Sequence, residues 1–209
     1  MVNVIASGSK GNAVLYNNEI LVDCGVPYSV IKPYVDRLKL VFLTHSHKDH
    51  LNIKTLQKLH KERPTLRFAC GEFLLDKMEG ISTDKIDIMC AMDVYDYGYF
   101  KISPITLYHD VTNFGARLFI GDIKIFHATD SAHLKGITAK NYDYYCIEHN
   151  YPEEETKALI QRKMQAGEFC HQIGSINSHL SVEQAQEFYL ANKGEHSQLI
   201  RLHETRTIY

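Results

Sequence analysis

Several residue types and motifs that would point directly to one class of protein are scarce or missing from this chain. Its 209 residues contain no tryptophan, five prolines and only five cysteines, none of them in a CxxC spacing. The cysteines are odd in number and widely separated, which indicates reduced thiols in a cytoplasm-like compartment. The formal net charge is −2, so no strong field of either sign selects for or excludes a nucleic-acid partner.

Long apolar segments are missing as well. No apolar run approaches the roughly 20 residues of a membrane-spanning helix. The first stretch, MVNVIASGSKGN, lacks the charged and then apolar segments of a signal peptide. No linker, repeat or low-complexity tract interrupts the sequence. With 44% hydrophobic and 23% charged residues, the chain is predicted to be a soluble, cytoplasmic protein that folds as a single domain over residues 1–209.

Strand and helix patterns run through the whole chain. Helix start and stop signals, or amphipathic spacing, favour helices in LNIKTLQKLHKE, GEFLLDKM, PEEETKALIQRKMQAG and LSVEQAQEFYLANKG, the last with Ser181 as a cap. Short apolar runs between turns favour strands in VNVIAS, AVLYN, EILVDCG, LKLVFLTH, YFKISPITLYH, ARLFI, IKIFHATD, YDYYCIEHN and SQLIRLH. Runs of strands on both sides of helices predict an α/β sandwich of two sheets with outer helices.

The most informative segment is THSHKDH, which directly follows an apolar strand. It places His45, His47, Asp49 and His50 within six residues. Imidazoles and a carboxylate packed this closely would repel on protonation or lack partners unless a cation binds them. Neutral imidazole and carboxylate are ligands that Zn²⁺ and Mn²⁺ prefer. The segment therefore predicts part of a metal site, the alternative being a solvated histidine-rich loop.

Other apolar strands end on a histidine or an aspartate in the same way. Asp23, His109, Asp130 and His203 each stand at or near the end of such a run. Residues of this kind can converge at one edge of a sandwich, where loops carry chemistry on a rigid scaffold. They are candidates for the further ligands that one loop cannot supply.

At this point the sequence resembles the metallo-β-lactamase-fold hydrolase superfamily over nearly the whole chain. The resemblance implies a four-layer αββα sandwich and two divalent ions, zinc or manganese. It also implies that Asp23 supports the site by orienting a ligand. The ligand set that it implies is His45, His47 and His109 for one metal, Asp49, His50 and a late histidine for the other, and Asp130 bridging the two.

Two histidines compete for the last ligand position. His179, in INSHLS, precedes a helix, whereas His203 ends a strand. The SGSKGN turn, YHDVTNFG and YDYYCIEHNY resemble segments of the WalJ/YycJ-like nucleases and RNase Z, a branch in which both positions occur. That resemblance implies His203 as the ligand. It gives His179, oriented by Glu148, a phosphate-binding or proton-donating role, with His149 as a second candidate donor.

The function implied is a dinuclear-metal-dependent phosphodiesterase with Asp49, Glu148 and His179 in catalytic roles. DNA and RNA remain open as substrates. So does a small cyclic nucleotide, the substrate of phosphodiesterases of the phage anti-defence type. A glyoxalase II-like thioesterase is less favoured because its HTPGH segment is not found here. Lys54, Lys58 and Lys61 follow the metal loop at helical spacing, which suits a polyanion or a solvated face alike. Relatives in this branch often form homodimers, so a homodimer is one further expectation.

Overall fold

The computed structural model of the protein describes residues 1–170 and 172–204. The chain divides into two compact units, Met1–Tyr95 and Asp96–Tyr209, and each contains one six-stranded sheet. That the two units form one domain over residues 1–209 stays a prediction. In the part of the chain described, no helix combines the length and apolar character needed to cross a bilayer.

The sheet of the first unit follows the order of the chain. Its first three strands pair in antiparallel fashion, and the later strands pair in parallel. Strand β4 has parallel neighbours on both sides, and all its residues are buried, as is usual in parallel sheets. The strands are β1 (Val2–Ala6), β2 (Ala13–Tyr16), β3 (Ile20–Val22), β4 (Leu40–Leu43), β5 (Arg67–Gly71) and β6 (Ile86–Met89).

The helices of the first unit include the predicted amphipathic one. In α2 (Ile53–Glu62), Leu56 and Leu59 are buried in the core cluster, and the Asn52 side chain accepts a hydrogen bond from the backbone N–H of Thr55 at 3.2 Å. The predicted GEFLLDKM helix is a 3₁₀ helix over Glu72–Lys77. The other helical segments are α1 (Tyr28–Ile31) and 3₁₀ helices at Lys32–Arg37 and Thr83–Lys85.

The sheet of the second unit also keeps sequence order. Strands β8 to β10 are antiparallel, whereas β10, β11 and β12 are parallel neighbours. The strands are β7 (Tyr95–Asp96), β8 (Lys101–Leu107), β9 (Asn113–Ile120), β10 (Ile123–Ala128), β11 (Tyr144–Glu148) and β12 (Gln198–Leu202). Its helices are α3 (Glu153–Gln165), α4 (Gln172–Ser178) and α5 (Val182–Asn192).

Ser181 begins α5 as the sequence predicts. Its hydroxyl accepts a hydrogen bond from the Gln184 backbone N–H at 3.1 Å, and the Gln184 side chain accepts one from the Ser181 N–H at 3.0 Å. This reciprocal capping box satisfies two helix-end donors. It fixes the start of α5 two residues after His179.

Parallel pairing decides where the chemistry lies in each unit. Neighbouring parallel strands bring their carboxyl ends to the same edge of a sheet. In the first unit, β3 leads into Asp23 and β4 into His45 at one such edge. In the second, β10, β11 and β12 bring Asp130, Glu148 and His203 to another.

Candidate metal centre

The first unit holds the predicted ligands of the loop after β4, here called the β4-loop group: His45, His47, Asp49 and His50. His45 and His50 are fully buried. The ring centroid of His45 lies 4.8 Å from that of His47 and 4.1 Å from that of His50. Asp49 Oδ2 lies 3.6 Å from His50 Nε2. The structure thus gathers all four side chains into one place.

A buried carboxylate, Asp23, organises this loop. Its Oδ1 accepts hydrogen bonds from the Thr44 N–H and hydroxyl at 2.9 Å each, and its Oδ2 lies 2.6 Å from His50 Nδ1. An Nδ1–H donated to Asp23 leaves the lone pair of His50 on Nε2, where a metal would bind. The arrangement is the one that the resemblance implies for Asp23.

Asn12 is a site residue that the sequence reasoning did not single out. It ends the SGSKGN turn and is buried. Its backbone N–H donates to the Asp49 carbonyl at 2.7 Å, and its side-chain nitrogen lies 2.7 Å from His50 Nε2 and 3.3 Å from Asp49 Oδ2. The turn therefore stabilises the position of the β4-loop group. In the sequence, only the SGSKGN turn pattern pointed to this segment.

Close backbone packing explains a glycine beside this turn. A Cβ atom on Gly25 would stand 1.7 Å from the Asp49 carbonyl oxygen, which no side chain tolerates. Gly25 in turn donates its N–H to the Asn12 carbonyl at 2.9 Å. Glycine is needed here for the chain to pass directly against the metal loop.

The second unit holds a separate set of donors, here called the strand-end cluster: Asp130, Glu148, His179 and His203. One ligand atom from each of the four lies within 4.8 Å of the others. His203 Nε2 is 3.7 Å from Asp130 Oδ1, and the His179 and His203 rings stack with centroids 5.2 Å apart. Both histidines that compete for the last ligand position therefore lie in one cluster.

Glu148 is the fully buried centre of this cluster. Its Oε2 accepts hydrogen bonds from the backbone N–H groups of Ser131 at 3.1 Å and Leu180 at 3.2 Å. Its Oε1 lies 2.5 Å from His179 Nδ1 and 3.4 Å from His203 Nδ1. Burial favours the neutral acid, but the hydrogen bonds with His179 and His203 outweigh it, and the pKa of Glu148 lies below its ordinary value.

The pKa of the His179 imidazole shifts in the opposite direction to that of Glu148. Burial disfavours its charged form, yet the hydrogen bond to Glu148 and the charge of that carboxylate prevail, so the pKa of His179 lies above its ordinary value. With Nδ1–H donated to Glu148, Nε2 is the nitrogen that remains for other chemistry. The predicted pairing of His179 with Glu148 is present in the geometry, while the roles of both residues stay predictions.

His109 lies beside the strand-end cluster, two residues after β8. Its Nδ1 is 2.8 Å from the Ser178 carbonyl oxygen, to which it donates, and its ring centroid is 5.1 Å from that of His179. Its Nε2 lies 4.0 Å from Asp130 Oδ2 and 3.0 Å from Asp110 Oδ1. The Nε2 of His109 therefore lies near two carboxylates, and its ligand role stays a prediction.

His149, the other predicted candidate for a proton donor, faces a different environment. Its Nδ1 lies 3.0 Å from the Ile147 carbonyl oxygen, and its Nε2 is buried with no hydrogen-bond partner in the described part of the chain. Burial lowers the pKa of His149 below its ordinary value. Its neighbour Asn150, which sequence reasoning also left out, contacts His203 Nδ1 at 2.8 Å.

Three of these positions have an unusual backbone. Asp23, Asp130 and His203 adopt positive φ angles of 61°, 57° and 49°. Left-handed backbone is uncommon for residues other than glycine and concentrates at functional sites. Each of the three follows the end of a strand, so the left-handed residue turns the chain out of the sheet at the predicted site.

The donor chemistry of both groups suits a divalent metal. Each combines imidazole nitrogens, held by hydrogen bonds at the opposite ring nitrogen, with carboxylate oxygens in a largely buried setting. Such sets are typical of Zn²⁺ and Mn²⁺ sites, in which the outer hydrogen bonds fix the tautomer of each ligand.

All three lysines of the helix face after the β4 loop, Lys54, Lys58 and Lys61, are exposed. Lys58 Nζ lies 4.2 Å from the centre of the Tyr28 ring, and Arg63 Nε donates to the Leu38 carbonyl at 2.7 Å. Arg67 pairs with Asp87. Whether this face binds a polyanion stays a prediction.

Comparison with known proteins gives a consistent fold. No protein-family model matches the sequence, and a search of curated proteins finds no match. Among solved structures, the metallo-β-lactamase fold protein YhfI from Bacillus subtilis is 19% identical, with a TM-score of 0.75 over 97% of this chain and 85% of that one. Human tRNase Z, short form, is 14% identical, with a TM-score of 0.71 over 98% and 92%.

A diphosphatase of the PhnP family is also similar, at 13% identity and a TM-score of 0.63 over 97% of this chain and 86% of that one. At these identities the likeness establishes the fold. The chain has the mixed α/β metallo-β-lactamase fold, with two six-stranded sheets, and the fold class predicted from the sequence is confirmed.

Proposed function

We propose that this protein is a metal-dependent hydrolase that cleaves phosphodiester bonds in nucleic acids or nucleotides. The observation that carries the proposal is the strand-end cluster, in which a buried glutamate holds a histidine beside an aspartate and a second histidine. The fold supports it, and two of the similar structures, tRNase Z and the PhnP-family diphosphatase, are named for phosphate-containing substrates.

The proposal assigns ligands as the resemblance implies. His45, His47 and His109 would hold one ion, Asp49, His50 and His203 would hold the other, and Asp130 would contribute to both. Zinc or manganese would supply Lewis-acid polarisation of the phosphoryl group and neutralise its negative charge. The protein's part would be to orient these donors, as Asp23 does for His50 by accepting from its Nδ1 at 2.6 Å.

His179 is proposed as the proton donor to the leaving oxygen. Glu148 accepts its Nδ1–H and so fixes the tautomer and the ring plane, while Nε2 carries the transferable proton. Glu148 itself is fixed by the backbone N–H groups of Ser131 and Leu180. A carboxylate held in this way cannot turn aside when the charge on His179 changes. Asp49 retains its predicted catalytic role alongside its ligand role.

Hydrolysis of bis-p-nitrophenyl phosphate with Mn²⁺ or Zn²⁺ tests this function, with His45→Ala as the blank. We expect turnover by the wild type and background rates for the variant. Hydrolysis of lactoylglutathione in the same buffer tests the alternative of a thioesterase. Absence of phosphodiester turnover with every divalent ion would contradict the proposal. A panel of linear DNA, RNA and cyclic mononucleotides then ranks the substrate classes, and light scattering tests the predicted homodimer.

A further inference from the structure

We infer that Tyr108 and His133 form a stacking platform for the nucleobase of the substrate. The inference rests on the proposed function and deepens it, because it selects nucleotides from among phosphodiesters. Tyr108 directly precedes the predicted ligand His109, and His133 stands three residues after Asp130. Their ring centroids are 4.1 Å apart with an interplanar angle of 38°.

The Tyr108 residue remains accessible to solvent. Tyr108 is 47% exposed although His133 covers part of it. A large aromatic side chain that is half open to solvent beside a buried ligand presents a ready surface for a flat ring. Stacking on an aromatic ring accepts every base, because each base has a π face.

The platform is held in place by the strand-end cluster. The Tyr108 N–H donates to Ser131 Oγ at 3.1 Å, and the Ser131 hydroxyl donates to the His133 carbonyl at 2.8 Å. The Ala132 N–H donates to the Tyr108 carbonyl at 2.6 Å. Because the Ser131 N–H also bonds to Glu148, the aromatic pair and the proposed proton donor share one rigid frame.

A cavity adjoins the platform on the side of His133. It has a volume of about 360 Å³, which falls in the range of small-molecule sites. Its lining combines the apolar Leu134, Ile137 and Phe188 with the polar Lys135 and Glu187. His133 therefore borders both the exposed tyrosine and a space that can receive the edge of a base.

Two esters that share one leaving group test the inference. Thymidine 5′-monophosphate p-nitrophenyl ester carries a base, and methyl p-nitrophenyl phosphate does not. The readout is the ratio of their kcat/KM values, which cancels any change in the metals or in the proton donor. We expect Tyr108→Ala and Tyr108→Leu to lower this ratio about 5- to 100-fold, the range for loss of one stacked base. Tyr108→Phe should preserve it.

The matched control is Tyr99→Ala, which removes a tyrosine that is 73% exposed elsewhere in the same unit and should leave the ratio unchanged. An unchanged ratio in Tyr108→Ala and Tyr108→Leu, with both esters still hydrolysed, would overturn the platform and leave the proposed function standing. A wild type that hydrolyses neither ester would overturn both. Circular dichroism and metal content establish that each variant is folded.

Discussion

Each unit of the protein is organised around one buried carboxylate, and the two differ in how far they reach along the chain. Asp23 joins Thr44 and His50, both on the single segment that follows β4. Glu148 joins Ser131, His179, Leu180 and His203, which come from three separate stretches of the second unit. The first group draws its four donors from one loop; the second draws its donors from distant parts of its unit.

The comparison shows that two groups of similar donors can differ in how well they tolerate substitutions. The β4-loop group carries its four donors on one segment of six residues, which Asp23 and Asn12 hold from outside. A cluster assembled from distant strand ends keeps its shape only while β10, β11 and β12 stay in register. Substitution of Glu148 should therefore lower the stability of the fold, whereas substitution of Asp23 should lower the metal affinity alone.

The largest effects should separate the two histidines of the strand-end cluster. His179→Ala should keep both metal equivalents and lose about 10²- to 10⁴-fold in kcat, the range for removing a general acid. His203→Ala should lose one metal equivalent. Metal analysis by mass spectrometry and steady-state kinetics on a phosphodiester measure the two outcomes. The reverse pattern would exchange the proposed roles.

Glu148→Gln should affect both activity and folding. Neutralising a buried carboxylate that bonds to two backbone N–H groups and a histidine should lower the free energy of unfolding by about 2–4 kcal/mol. It should also lower kcat about 10- to 100-fold, because His179 loses its orienting partner. Urea unfolding and kinetics measure the two effects. Glu195→Gln, on an exposed position, is the control; equal stabilities of the two variants would refute the central role of Glu148.

Asp23→Asn should act on metal affinity. Its amide cannot accept the His50 Nδ1–H as a carboxylate does, and an outer hydrogen-bond partner of this kind contributes about 10- to 100-fold in affinity. Calorimetric titration with Zn²⁺ measures the loss, and saturating metal should restore most of the turnover. The exposed Asp36→Asn serves as the comparison. Unaltered affinity in Asp23→Asn would mean that the β4-loop group needs no support from Asp23.

The smallest effect should come from the cap of α5. Ser181→Ala removes one half of the capping box and should lower the free energy of unfolding by about 1 kcal/mol without changing the metal content. Thermal unfolding measures it against Ser9→Ala on an exposed turn. A loss of turnover at unchanged metal content in Ser181→Ala would show that the start of α5 also positions His179.

Sequence reasoning reached the elements whose signals are local. The THSHKDH loop, the amphipathic α2 and the capped α5 are each encoded within a dozen or so residues, and the fold class came from a motif resemblance. The strands β5, β6 and β7 and the helices α1 and α4 were not predicted, because elements of two to seven residues leave little periodicity to detect.

The partners of each site residue were harder to predict than the residues themselves. Asn12 meets Asp49 across 37 positions of the chain, and only the pairing of strands in space brings them together. The same holds for Ser131 and Leu180, whose backbone N–H groups fix Glu148 and leave no trace in side-chain pattern. Their roles follow from topology, which composition and spacing do not contain.

The left-handed backbone at Asp23, Asp130 and His203 has a consequence for engineering. A side chain in this conformation costs about 1–2 kcal/mol that glycine would not incur. A screen that selected variants for thermal tolerance alone would accept glycine at these positions and discard the donors with it. Stabilisation of this protein should therefore be sought away from the strand ends, with metal content monitored at every round.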